Sequence, residues 1–294
     1  MLTIGLCVLL VGCSPGRADR RAATSGPTTP GGPPPAIVQA EAAQVLKRYL
    51  AAMNGSDPAA TRSLEAGAAR QVNARLRELG PRYALVDIAP DFAIPRLADY
   101  PKWFVAGAVG AGATGDVALF TQTTAGGAWR LRQVVRTTRP MPVLSRDAQG
   151  YAIAAEPGDI AKRQATALTA DLGSRGSGAA PAEGLRRNQR LFTGARWTAT
   201  QRVAPYGRSY ALRSDDGGTV VWYVLNYVFT ATNTAGGYEI TLADEAARLL
   251  GHTAVRRKLS WQALYQSIAR VPVSGGAPRV LGVSLPGWVR MAGS

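Results

Sequence analysis

Thr219-Val220-Val221-Trp222-Tyr223-Val224-Leu225-Asn226-Tyr227-Val228-Phe229-Thr230 is the stretch on which the reading of the fold turns. β-Branched and aromatic residues fill it, and neither Gly nor Pro interrupts it, so it predicts a strand. Successive side chains of a strand alternate between faces. Val220, Trp222, Val224, Asn226 and Val228 therefore share one face, and Val221, Tyr223, Leu225, Tyr227 and Phe229 share the other. Both sets are largely apolar, which predicts a central strand covered on both sides. Arg257–Val271 reads as a long neighbouring strand that carries Trp261 and Tyr265 at period-2 spacing. Tyr223, Tyr227, Trp261 and Tyr265 are the candidate ligand-binding residues, with tyrosine hydroxyls offered into a concave pocket.

The rest of the second half is built around this strand. Ile160–Leu172 reads as a helix opened by Gly158-Asp159, and residues 173 to 184 as a Gly/Ser/Ala/Pro loop. Strands follow at Thr198–Val203, Tyr210–Arg213, Tyr238–Leu242 and Arg279–Val283, with a short one near Trp288–Met291. Asp215-Asp216-Gly217-Gly218 reads as a hairpin turn, because it lacks the spaced oxygen ligands of a calcium loop. The first half has the same order. Helices are predicted at Ile37–Met53, closed by Asn54-Gly55, and at Thr61–Leu79. Strands are predicted at Tyr83–Ile88, Trp103–Ala108, Val117–Thr124 and Ala128–Arg136, the last two joined through Ala125-Gly126-Gly127.

Thr124-Ala125-Gly126-Gly127 recurs as Thr234-Ala235-Gly236-Gly237, each time after a Phe-Thr strand end. With helices before strands in both halves, this predicts an α+β protein of two modules, 36–150 and 151–294. Each module is expected to be a bent antiparallel sheet with N-terminal helices on one face. The order of elements resembles tandem NTF2-like or cystatin-like modules, a likeness that carries no function by itself.

The N-terminus has a different character. Leu2–Val11 is an apolar run of ten residues. It is too short to span a bilayer, which takes about 20 residues, and fits the apolar region of a secretory signal. It ends in Leu10-Val11-Gly12-Cys13, a lipobox-like sequence, although Met1-Leu2-Thr3-Ile4 lacks the usual positive charge. Residues 1–12 are thus expected to be a removed signal, with Cys13 the lipidated residue. From Cys13 to residue 35 the chain is rich in Pro, Gly and Arg, and reads as a disordered tether. Cys7 falls in the signal, so the mature chain would hold no disulfide and depend on its core.

The lipobox, Tyr100-Pro101-Lys102-Trp103-Phe104-Val105-Ala106, and Pro142-Val143-Leu144 followed by Asp147-Ala148-Gln149-Gly150-Tyr151-Ala152 resemble a family of uncharacterised actinobacterial lipoproteins. The resemblance spans nearly all of the chain. It implies a location on the membrane and brings no catalytic residues with it.

Composition narrows the chemistry. The 294 residues include 34 Lys plus Arg, 19 Asp plus Glu, one His and two Cys, a formal net charge of +15. That charge favours anionic partners. No HExxH, GxSxG, SxxK or P-loop occurs, and Gly282-Val283-Ser284-Leu285-Pro286 lacks the last Gly of a nucleophile elbow. His252, the sole histidine, follows Gly251 in a turn and has no evident partner. No catalytic residue, metal or cofactor is assigned. Basic clusters at Arg186-Arg187 with Arg190 and at Arg256-Arg257-Lys258 suit an anionic envelope component better than nucleic acid, given export. The expected protein is a lipid-anchored, extracytoplasmic binding or interaction protein of the cell envelope, engaging an anionic component or a partner protein. The alternative is a lipid-anchored enzyme using acid–base chemistry in an NTF2-like cavity.

Overall fold

A computed structural model describes residues 32–55, 57–79, 88–173, 190, 192, 196–236, 238–284 and 287–294. The signal, Cys13, most of the tether, the strand expected at Tyr83–Ile88 save Ile88, the loop beyond residue 173, and Arg186 with Arg187 lie outside the described residues. Pro33–Ser294 forms one compact unit. Pro34 and Pro35, placed in the tether by composition, already belong to it. The Pro34 carbonyl accepts from the Leu97 N–H, and Pro35 bridges to Arg96.

The strands in chain order are β1 (Phe92–Ala93), β2 (Lys102–Gly107), β3 (Gly115–Gln122), β4 (Arg130–Thr137), β5 (Thr198–Pro205), β6 (Tyr210–Arg213), β7 (Thr219–Thr232), β8 (Ile240–Thr241), β9 (Ala254–Val255), β10 (Lys258–Val271), β11 (Arg279–Val283) and β12 (Gly287–Gly293). The helices are α1 (Gln39–Asn54), α2 (Pro58–Ser63), α3 (Gly67–Leu79), α4 (Ile160–Gly173) and α5 (Asp244–Leu250). The protein is thus mixed helix and sheet, with one large antiparallel sheet dominant.

The predicted central strand is β7, which pairs with β10 over fourteen residues, from Thr219↔Val271 to Thr232↔Lys258. Its other side takes β5 along one half and β6 along the other. The alternation seen in the sequence holds. Val221, Tyr223, Leu225, Tyr227 and Phe229 lie in one hydrophobic cluster, Val220 and Trp222 in a second, and Val224 in a third.

Ten strands form a single sheet in the order β1-β2-β3-β4-β11-β10-β7-β5, with β12 added to β10 and β6 to β7. Strands from both halves of the chain meet in it, where two separate bent sheets were expected. The segment at residues 144–154 carries the pairing further. Ala154 bridges to Leu212 of β6, and Ala152 bridges to Pro95 just beyond β1. The ring from β1 to β6 is thereby closed into a barrel, which leaves those two edges covered. Trp103, Val105, Leu119, Val135, Leu212 and Trp222, from both halves, pack inside. Residue 150 therefore falls within the segment that closes the ring. The physical reason is burial: β2 to β4 have a second apolar face, and the strands around Trp222 cover it.

The junction between β4 and β11 is narrow. β11 and β4 pair only at Gly282↔Thr137, where a Cβ on Gly282 would lie 2.4 Å from the Arg136 carbonyl oxygen. Beyond it the Gln266 side chain replaces the ladder, its Oε1 accepting from the Val134 N–H at 2.9 Å.

Helices cover the outer faces. Ala42, Leu46 and Tyr49 of α1 pack on Phe104, Phe120 and Leu131. Ala68 and Val72 of α3 pack on Val224 and Leu264. That approach requires Gly287, since a Cβ there would meet the Val72 side chain at 2.3 Å. Ile160, Ala161 and Ala165 of α4 cover the tyrosine face of β7. The single helix expected at Thr61–Leu79 is two, broken at Leu64-Glu65-Ala66. There the backbone turns to pair with β4: Leu131 donates to the Leu64 carbonyl, and Ala66 donates to the Leu131 carbonyl, both at 2.8 Å.

Candidate functional site

One mouth of the barrel holds a cavity of about 410 Å³. Mouths of β-barrels are common ligand sites, and the volume lies within the usual range of about 300–1,000 Å³. Three segments frame it: Pro140–Val143, the β6–β7 turn, and the facing ends of β10 and β11. Their positions follow from backbone pairing. The Asp215 N–H donates to the Val143 carbonyl at 3.0 Å, and the Thr138 and Arg139 N–H groups donate to the Leu281 carbonyl. Asp215-Asp216-Gly217-Gly218 forms the hairpin turn its sequence predicts, with Gly217 donating to the Ser214 carbonyl.

The lining is mixed. Pro140, Pro142, Val143 and Leu281 supply apolar surface, and Val143 is 49% exposed. Asp215, Asp216, Arg270 and Arg279 supply charge. Asp216 is fixed from three directions. Its Oδ1 accepts from the Ser214 hydroxyl at 2.7 Å and from the Gly218 N–H at 3.0 Å, and its Oδ2 accepts from Arg270 Nη2. The Ser214 hydroxyl does most to hold its pKa below the ordinary carboxylate value, followed by the Gly218 N–H; partial burial opposes them and the Arg270 charge assists. Arg270 and Arg279 are direct cross-strand partners. The arrangement can bind a charged group beside an apolar one. It was not legible as a site, because its parts lie far apart in the chain and only the turn had a local signature.

Tyr223, Tyr227, Trp261 and Tyr265 do come together, on the face of β7 and β10 under α4. Tyr227 and Tyr265 meet edge to face at 6.1 Å, and Trp261 stacks on Phe229 at 3.9 Å. The three tyrosines are buried and Trp261 is half-buried. The Tyr227 hydroxyl donates to Gln201. Burial pushes the Tyr223 hydroxyl up to about 12 and those of Tyr227 and Tyr265 upward as well. In this arrangement the four residues pack a closed hydrophobic cluster with α4 and Phe192.

A buried polar cluster was missed by sequence reasoning. Glu65 sits in the break between α2 and α3, and its side chain has no solvent exposure. Its Oε1 accepts from Asn73 Nδ2 and Arg77 Nη2, each at 2.7 Å, and from the Tyr49 hydroxyl at 3.3 Å. Its Oε2 and Arg77 Nη1 are buried with no hydrogen-bond partner among the described residues. Burial first, then the Glu65 charge, drives the Tyr49 pKa upward. The signal that could have found the cluster is Gly67, two residues on from Glu65, which weakens a helix read through it.

His252 is exposed in a second depression of about 550 Å³, with Glu239, Arg256 and Arg257. Glu239 is engaged by Arg256. Among the described residues no group of three or more His, Cys, Asp or Glu is placed to hold a metal ion. No described helix is long and apolar enough to cross a membrane.

Comparison with known proteins bears out the resemblance to a lipoprotein family. The chain is 26% identical over 274 residues to an uncharacterized lipoprotein of Streptomyces avermitilis, covering 82% of this chain and 81% of the relative. No solved structure matches it. The barrel, its covering helices and the mouth all fall within residues 33–285, or within a few residues of them, and over that span the chain belongs to the family of domains of unknown function DUF8094.

Proposed function

We propose that this protein is a lipoprotein held by Cys13 on the extracytoplasmic face of the membrane, working there as a non-catalytic binding protein of the cell envelope. The observation that carries the binding role is the cavity at the barrel mouth, where apolar and charged side chains are held by backbone pairing from three segments. The anchor is supported by Leu10-Val11-Gly12-Cys13 and by the relative's description as a lipoprotein. Residues 1–12 are then the removed signal and the following stretch the tether. The two halves, 36–150 and 151–294, are modules that share one barrel, a reading supported by the order of helices before strands in each. Tyr223, Tyr227, Trp261 and Tyr265 would take a ligand only if α4 moved aside.

Fractionation tests the anchor: Cys13→Ala should move the protein out of the membrane pellet, and an unchanged distribution would refute it. Hydrogen exchange tests the binding role. The full chain with Cys13→Ala, mixed with small molecules extracted from envelopes, should show slowed exchange at Asp215, whose N–H sits at the mouth. Turnover of an extract component with no slowing there would favour an enzyme.

A further inference from the structure

The two carboxylates and two guanidiniums of the mouth are unevenly paired. Arg270 and Arg279 face each other across an antiparallel pair. Like charges directly opposite on neighbouring strands repel. Asp216 answers one of them, through Arg270 Nη2. Its carboxylate is already committed to Ser214 and Gly218, so it cannot swing to serve both. Arg270 Nε remains buried with no hydrogen-bond partner, and the exposed Arg279 makes no ion pair among the described residues. Beside the two guanidiniums lies apolar surface from Pro140, Pro142, Val143 and Leu281. Asp215 lines the mouth as well but forms no ion pair with either arginine among the described residues, so Arg279 is left to take an oxyanion from outside, and guanidinium–oxyanion hydrogen bonds are among the strong ones.

Resting on the binding role proposed for the mouth, we infer that its ligand is a small amphipathic anion. A carboxylate or phosphate head sits between Arg279 and Arg270, and an apolar body lies along Pro140, Val143 and Leu281. Asp216 is a positioning residue: it holds Arg270 in place without touching the ligand. Asp215, exposed on the same rim, disfavours ligands with a second negative charge on that side.

The probes are octanoate, octyl phosphate, octanol and inorganic phosphate, titrated into the full chain carrying Cys13→Ala. Binding is read by calorimetry and by the rise in Tm that a native-state ligand produces. Octanoate or octyl phosphate should bind at least tenfold more tightly than octanol, and the tighter of the two identifies the head group. Inorganic phosphate should bind at least tenfold more weakly than the better amphiphile. Arg279→Ala should bring the amphiphiles down to the level of octanol. Val143→Asp should weaken them by a similar factor. Arg202→Ala, an exposed change on β5 away from the mouth, should leave binding alone. Equal binding of octanol and both anions, full affinity in Arg279→Ala, no binding by any probe, or phosphate alone matching the amphiphiles would each overturn the inference. Membrane fractionation of the wild-type chain is independent of every one of these outcomes, so failure of the ligand assignment leaves the anchor to stand or fall by itself.

Discussion

Two carboxylate–guanidinium pairs mark opposite uses of the same chemistry. Glu65 and Arg77 meet at 2.7 Å with side chains 0% and 16% exposed, and they join α1, the α2–α3 break and α3 beneath the sheet. Asp216 and Arg270 meet at the barrel mouth with side chains 43% and 34% exposed. Taking a charge out of water costs several kcal/mol, which is recovered only through its partners. The first pair therefore depends wholly on its neighbours. The second is screened by solvent and contributes little to folding, which leaves it available for a ligand. Burial, more than the identity of the charges, separates a structural pair from one that can bind.

The comparison breaks most easily at Glu65. Replacing Glu65 with Ala strands the Arg77 charge and should cost about 3–5 kcal/mol in chemical denaturation. Glu65→Leu with Arg77→Met should cost clearly less than that, since no charge is left unpaired. A double variant as unstable as the single one would show that the site needs its hydrogen bonds rather than its charge balance. Tyr49→Phe removes one longer bond to the same carboxylate and should cost about 0.5–1.5 kcal/mol. At the mouth, Asp216→Ala should cost less than about 1 kcal/mol. A loss as large as that of Glu65→Ala would erase the distinction.

The pH dependence sharpens the contrast further. The Asp216 pKa is depressed in the folded protein, so the stability it contributes is present above the ordinary carboxylate value and lost as pH falls through its folded value. The Ser214 hydroxyl is the largest cause of that depression and the Arg270 charge a lesser one. Carboxyl NMR titration should therefore show the Asp216 pKa rising both in Ser214→Ala and in Arg270→Ala, which removes a charge and a hydrogen bond together. The smallest effect is expected at the second depression: His252→Gln should leave Tm unchanged, because the ring is exposed.

Much of the local structure was legible. The strand around Trp222, its two apolar faces, the long strand opposite it and the turn at Asp215–Gly218 follow from alternation and from glycine placement. Arg279–Val283 and Tyr210–Arg213 were read at their observed bounds. The helix break at Glu65 was not legible, because Thr61–Leu79 keeps a helical apolar spacing on both sides of it. The β4 backbone, offering hydrogen bonds at Leu131, favours leaving the helix there. The mouth was missed for a related reason: Pro142, Asp216 and Arg279 are brought together by strand pairing and share no local motif.

The sequence by itself determined most of the long strands and helices, the two apolar faces of the central strand, and that the N-terminal stretch differs in composition from the rest. Those properties depend on neighbours within a few residues, which composition and period record. Tertiary structure alone decided that both halves contribute to one barrel, that Gly282 and Gly287 are points of close approach, and that one ion pair is buried while the other stays open. Each of these depends on which apolar faces find each other, and an apolar face in a sequence does not specify what will cover it.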